Sequence, residues 1–211
     1  VGQLDGTQVE IDNIGALLKA KGYKVTALAQ DSATEESFKQ LKQNSILHVS
    51  THGFFIPDED DESLIKDMND TYHTFTRSGL VLTDGGYVID EIITNNGKIE
   101  NGILTAYEVM NLSLEKTELV VLSACETGVG NVQLGEGVYG LQRAFLVAGA
   151  ESVIMSLAKV PDEATAKLMS KFYEYWLDSG NKRTAFKKAK QEVRKEHPHP
   201  YYWGAFVLIE K

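Results

Sequence analysis

Two side chains in this 211-residue sequence have the type and setting to attack an acyl group. Cys125 is the only cysteine, and it follows the apolar run LVVLSA at 119–124. His52 follows a second such run, ILHVST at 46–51, and is itself followed by Gly53. An imidazole titrates near neutral pH, so it can take a thiol proton and return it to a leaving amine while the thiolate attacks a carbonyl carbon. The gap of 125 − 52 = 73 residues is no obstacle, because nucleophile and base meet in space. The backbone N–H groups of Gly53 and Cys125 are the candidate donors to the oxyanion. The bland alternative is that Cys125 is a small buried hydrophobe, which a lone cysteine at the end of an apolar strand more often is.

Positioning these two residues requires a sheet whose strand ends converge. Ile11, Ile14, Leu17 and Leu18 recur at helical spacing and stop at Gly22, which predicts a first helix. YKVTALA at 23–29 reads as a strand, and Ser32 with Glu35 three residues on predicts a capping box opening a helix through Leu41. The runs at 46–51, 119–124 and 152–157 are nearly free of polar alternation, as in strands covered on both faces. Helices are expected around 135–148, 162–178 and 182–196, a helix cap at Thr105 with Glu108, and a closing strand in WGAFVLI at 203–209. Strands alternating with helices predict a single α/β domain over 1–211, with a mostly parallel central sheet and helices on both faces. A small hairpin is expected in SGLVLTD, turning at Gly85 and Gly86 into YVIDEI, and residues 54–78 read as a long acidic, mobile insertion. Ligands of such sheets collect beyond the carboxyl ends of the strands, where His52 and Cys125 fall.

Other signals lead elsewhere. A net charge of −9 argues against a surface that tracks nucleic-acid phosphates, and no run is long and apolar enough for a membrane span or a signal core, so a cytoplasmic protein is expected. Gly135, Gly137 and Gly140 match a dinucleotide pattern but begin about ten residues after the strand instead of at its turn, so they read as helix packing. Asp58, Asp60 and Glu62 lack the glycine and glutamate of a calcium loop. His197 and His199 could suggest a small metal site but read as loop residues, so no metal or other cofactor is expected. His48 reads as a hydrogen-bonded core histidine on the same strand face as His52. Lys187, Lys188, Lys190, Arg194 and Lys195 read as one solvated helix face.

The strings STHG at 50–53, SACETG at 123–128, GEGVYGLQRAFLVAGA at 135–150, KVPDEATAKLM at 159–169 and HPYYWGAFVLI at 199–209 resemble the CHAT family of caspase-like peptidases, from about residue 5 to the end. The resemblance implies a caspase-like three-layer sandwich, a His52/Cys125 dyad, a thioester acyl-enzyme on protein or peptide substrates, bacterial origin and chemistry that needs no metal. It also implies an upstream tetratricopeptide array or sensor partner, which suits a chain that starts at Val1 as though excised from a longer one. Relatives tend to carry a further α/β portion ahead of VGQLDGT, and a tryptophan where Ala158 stands. Asp162 matches the aspartate with which related separases bind a basic side chain before the scissile bond; its other reading is a helix cap. Glu126 is a second acidic candidate for substrate binding, or an acceptor of loop backbone hydrogen bonds. Ser123 is counted with these two. The competing functional class is a catalytically idle module of the same fold that binds peptides or partners.

Overall fold

The computed structural model describes residues 5–41, 44–55, 75–83, 85, 102–123, 136–158 and 160–211. Among them, strands β1 (Ile46–Val49), β5 (Leu119–Leu122), β6 (Ser152–Ser156) and β7 (Phe206–Glu210) form one sheet in the order β1-β5-β6-β7. The first three are parallel, and β7 runs antiparallel at the edge. Period-two alternation sends the side chains of this sheet to two separate cores. On one face Leu47, Val49, Val120, Leu122, Val153 and Met155 pack under α2 (Glu35–Lys39), α3 (Ala106–Met110) and α4 (Glu136–Val147). On the other, Leu119, Val121 and Ile154 pack under α1 (Asp5–Ala20), α5 (Asp162–Ser179) and α6 (Lys182–Glu196). These are the three layers and the mostly parallel sheet expected from the sequence.

Stacked and edge-on rings fill the second core: Phe172 stacks on Trp176 at 5.7 Å and meets Tyr173 and Phe186 edge-on at 5.4 and 5.9 Å. α5 ends at Gly180 in the left-handed region, and the Asn181 side chain then caps α6 by accepting from the Thr184 amide at 2.8 Å. Thr105 and Glu108 form the expected capping box at the start of α3. Glu108 also holds Lys39 of α2 at 2.7 Å, which ties the two short helices together.

Four expectations need correction. Residues 23–29 join neither sheet: Tyr23 and Leu28 are exposed, Val25 packs toward α1, and β-branched content alone did not make a ladder. The cap of α2 is Thr34, whose hydroxyl accepts from the Ser37 amide, while the Ser32 hydroxyl bonds back to Ala29 and closes a short 3-10 turn instead. Lys190 leaves the solvated face, bonding the Phe206 carbonyl over the Phe186 ring, and burial lowers its pKa. Finally, the 46–51 strand does not run on into His52. The chain leaves the first sheet after Val49, and β2 (His52–Phe55) begins a separate antiparallel sheet with β3 (Ser78–Val81) and β4 (Ile103–Thr105), β3 in the middle.

In that second sheet β3 is paired on both sides, by β2 and β4, and the YVIDEI arm of the hairpin expected around Gly85 and Gly86 lies outside the described residues. The acidic insertion has a defined root, because Phe54 and Phe55 belong to β2 and Phe55 is the register partner of Ser78. Its residues 56–74 lie outside the described residues.

α4 hands over to β6 through Gly149, whose φ is +121° and whose site for a Cβ lies 2.6 Å from the Glu115 amide nitrogen. Gly22, after α1, also has positive φ, +84°, but nothing within 4 Å of its Cβ site. Gly22→Ala is therefore expected to cost only the backbone term, about 1 kcal/mol, and Gly149→Ala clearly more, since backbone must also move. Urea unfolding of the two variants measures the difference; equal losses would contradict it.

Candidate active site

The two candidate residues follow, in sequence, neighbouring strands in matched register. β1 and β5 pair with Val49 opposite Leu122, and the Ser123 amide continues the ladder by donating to the Val49 carbonyl at 2.9 Å. His52 lies 52 − 49 = 3 residues beyond one partner, and Cys125 lies 125 − 122 = 3 beyond the other. Cys125 and Glu126 themselves lie outside the described residues. His52 is half-buried at the start of β2, opposite Val81, with Gly53 opposite Leu80. The preceding Thr51 hydroxyl donates to the Val81 carbonyl, so the second sheet grips the chain immediately before the imidazole. The shared strand face expected for His48 and His52 is thereby lost: they stand in different sheets.

His48 is hydrogen-bonded in the core, in a polar cluster beneath these strand ends. Its ring bridges Glu10 of α1 and Tyr173 of α5, with Nε2 3.1 Å from Glu10 Oε1 and Nδ1 3.2 Å from the tyrosine hydroxyl. Glu10 is only 3% exposed. Its second oxygen, Oε2, accepts from Ser50 Oγ at 3.1 Å and Ser123 Oγ at 3.0 Å, and Thr7 Oγ1 lies 3.3 Å from Ser50. Burial, with the Glu10 charge added, pushes the Tyr173 hydroxyl far above its usual range. Tyr173 therefore keeps its proton and can give it to Nδ1 as a hydrogen bond, leaving Nε2–H to donate to Glu10 Oε1. Every oxygen of the buried carboxylate then has a donor.

The remaining predicted residues separate. Ser123 is 6% exposed with its hydroxyl committed to Glu10, so in this arrangement it supports the strand end instead of lining an open surface. Asp162 is exposed, the first residue of α5, and lies beyond the carboxyl end of β6 on the edge that β1 and β5 also reach. It is not the N-cap, which is Pro161; together with Glu163 it puts negative charge at the positive end of the helix. Ala158 lies in the bend between β6 and α5, its carbonyl accepting from the Ser156 hydroxyl. Gly137 and Gly140 lie within α4, and Gly135 lies outside the described residues. His197 stacks on Tyr202 at 4.6 Å and His199 accepts from the Tyr201 amide at 3.2 Å, both serving the turn after α6. Among the described residues no cluster of three or more metal-ligating side chains forms, and no helix is long and apolar enough to cross a membrane.

Glu10 and Tyr173 escaped the sequence reading, although a signal existed. Glu10 precedes Ile14 by four residues and Leu17 and Leu18 by seven and eight, which puts a carboxylate in the buried stripe of an amphipathic helix. A charge there needs partners, and His48, Ser50 and Ser123 in the apolar runs at 46–51 and 119–124 were residues able to supply them.

Comparison with known proteins agrees with this architecture. A family model described as "CHAT domain" matches residues 1–211, the whole chain. Tetratricopeptide repeat protein 28 of Homo sapiens is 35% identical over 121 residues, 56% of this chain and 5% of that protein. Its namesake in Mus musculus is 33% identical over the same length. The match thus spans only a small part of those relatives. With the family model covering every residue and the sheet, layers and strand register in place, the chain belongs to the CHAT domain family and has its caspase-like fold.

Proposed function

We propose that the chain is a cysteine endopeptidase acting on specific protein substrates through Cys125 and His52. The observation that carries this reading is the matched register: nucleophile and base are offset by the same three residues from paired positions on adjacent parallel strands. In the proposed reaction His52 takes the Cys125 thiol proton and the thiolate adds to the scissile carbonyl. The backbone N–H groups of Gly53 and Cys125 hold the resulting oxyanion. Collapse expels the amine, which leaves with the proton from His52, and a water activated by the same imidazole hydrolyses the thioester, releasing the acid and restoring the thiol.

Asp162 is the proposed determinant for arginine or lysine before the scissile bond. Its carboxylate is exposed at the carboxyl edge of the sheet, where it can pair with a guanidinium or ammonium. Glu126, next to the nucleophile in sequence, is a second acidic candidate. The names of the relatives favour an activity exercised while joined to, or controlled by, a tetratricopeptide array.

Incubation with a peptide library, followed by mass-spectrometric mapping of new termini, tests the reading. Cuts are expected from the wild type and from neither Cys125→Ala nor His52→Ala. Cuts that persist without Cys125 would remove it as the nucleophile, and none from the wild type even when joined to a tetratricopeptide region would support the idle binding module. For specificity, Asp162→Asn is expected to reduce the kcat/KM ratio of arginine over leucine substrates by about tenfold or more. An unchanged ratio would remove Asp162 from the pocket.

A further inference from the structure

We infer that Glu10 is a positioning residue for the dyad: one buried carboxylate on α1 sets the two strand ends that lead to His52 and Cys125. The inference rests on the dyad proposed above. Ser50 is one residue beyond Val49, and Ser123 one beyond its register partner Leu122. Both hydroxyls donate to the same oxygen, Glu10 Oε2, at 3.1 and 3.0 Å. The other oxygen holds His48, which lies further back on β1 and is braced in turn by Tyr173. The carboxylate thus fixes the equivalent position on both strands, two residues before each member of the dyad.

The backbone ladder pairs β1 with β5 only as far as Val49 and Leu122. Beyond it, a carboxylate buried to 3% exposure is costly unless its donors stay in hydrogen-bond geometry. α1 belongs to neither the first sheet nor the second, yet through Glu10 it touches both routes into the site. His52 has a further anchor in the Thr51 contact to β3, whereas the Ser123 hydroxyl is held by Glu10.

The test uses the fact that Cys125 is the only cysteine, so alkylation by iodoacetamide, followed by intact mass, reads its thiolate without a substrate. The rate is measured from acid to neutral pH for wild type, His52→Ala, Glu10→Gln, Ser50→Ala and Ser123→Ala, each checked for folding by urea midpoint. A dyad gives the wild type a reactive thiolate at acidic pH that His52→Ala loses. Glu10→Gln keeps shape and packing but weakens the charge-assisted bonds, and is expected to lower the acidic-pH rate by about 10- to 100-fold while remaining folded. The two serine variants, each removing one donor and less able to unfold the chain, are expected to fall between.

If His52→Ala loses the acidic limb while folded Glu10→Gln and both serine variants keep it, Glu10 is structural only and the inference is overturned with the dyad intact. If His52→Ala leaves the limb unchanged, the dyad itself fails, and the positioning role fails with it.

Discussion

A carboxylate in a protein interior has to be surrounded by donors, and Glu10 meets that demand by gathering them from three elements at once. His48 and Ser50 come from β1 and the residue just beyond it, Ser123 from the end of β5, and Tyr173 from α5 through the His48 ring. Removing one partner of such a buried charge leaves the rest unsatisfied, a penalty of several kcal/mol. The polar cluster therefore adds a constraint on the strand ends to those of the backbone ladder and the surrounding Leu, Val and Ile contacts. It sits beneath the carboxyl ends of β1 and β5.

The rest of the architecture follows from covering that sheet on both faces. Continuous apolar strands need helices above and below, and the chain supplies α1, α5 and α6 on one side and α2, α3 and α4 on the other. The second, antiparallel sheet then takes over at His52. It turns the backbone away from the parallel sheet directly after Thr51 and roots the acidic insertion between Phe55 and Ser78. One reactive segment is thus held from two directions, by Glu10 below and by β3 alongside.

Much of this was legible in the sequence, for reasons that differ by element. The runs at 119–122 and 152–156 could hardly be anything but buried strands, and α5 and α6 announce themselves by long apolar periodicity with Gly180 and Asn181 between them. The break at Ser50 and Thr51 was not legible, because HGFF looks the same whether it continues a strand or opens another. The misplaced cap at Ser32 has a similar cause: Ser32 and Thr34 both precede acidic helix-forming residues, and only tertiary contacts choose between them. Of the candidate site, His52 and Cys125 stood out by residue type and strand context, and the family match covers them both. Their support did not, since Glu10 reads as one more surface acid until its place in the stripe of Ile14 and Leu18 is weighed.

The most direct test of this account is a crystal structure of the chain after reaction with a peptidyl chloromethyl ketone ending in arginine. The account predicts a thioether at Cys125 Sγ, a His52 ring nitrogen within about 4 Å of the bonded sulfur or the adjoining carbonyl, and Ser50 and Ser123 still sharing Glu10 Oε2. A modified Cys125 with His52 directed elsewhere, and the two strand ends out of the matched register, would contradict it.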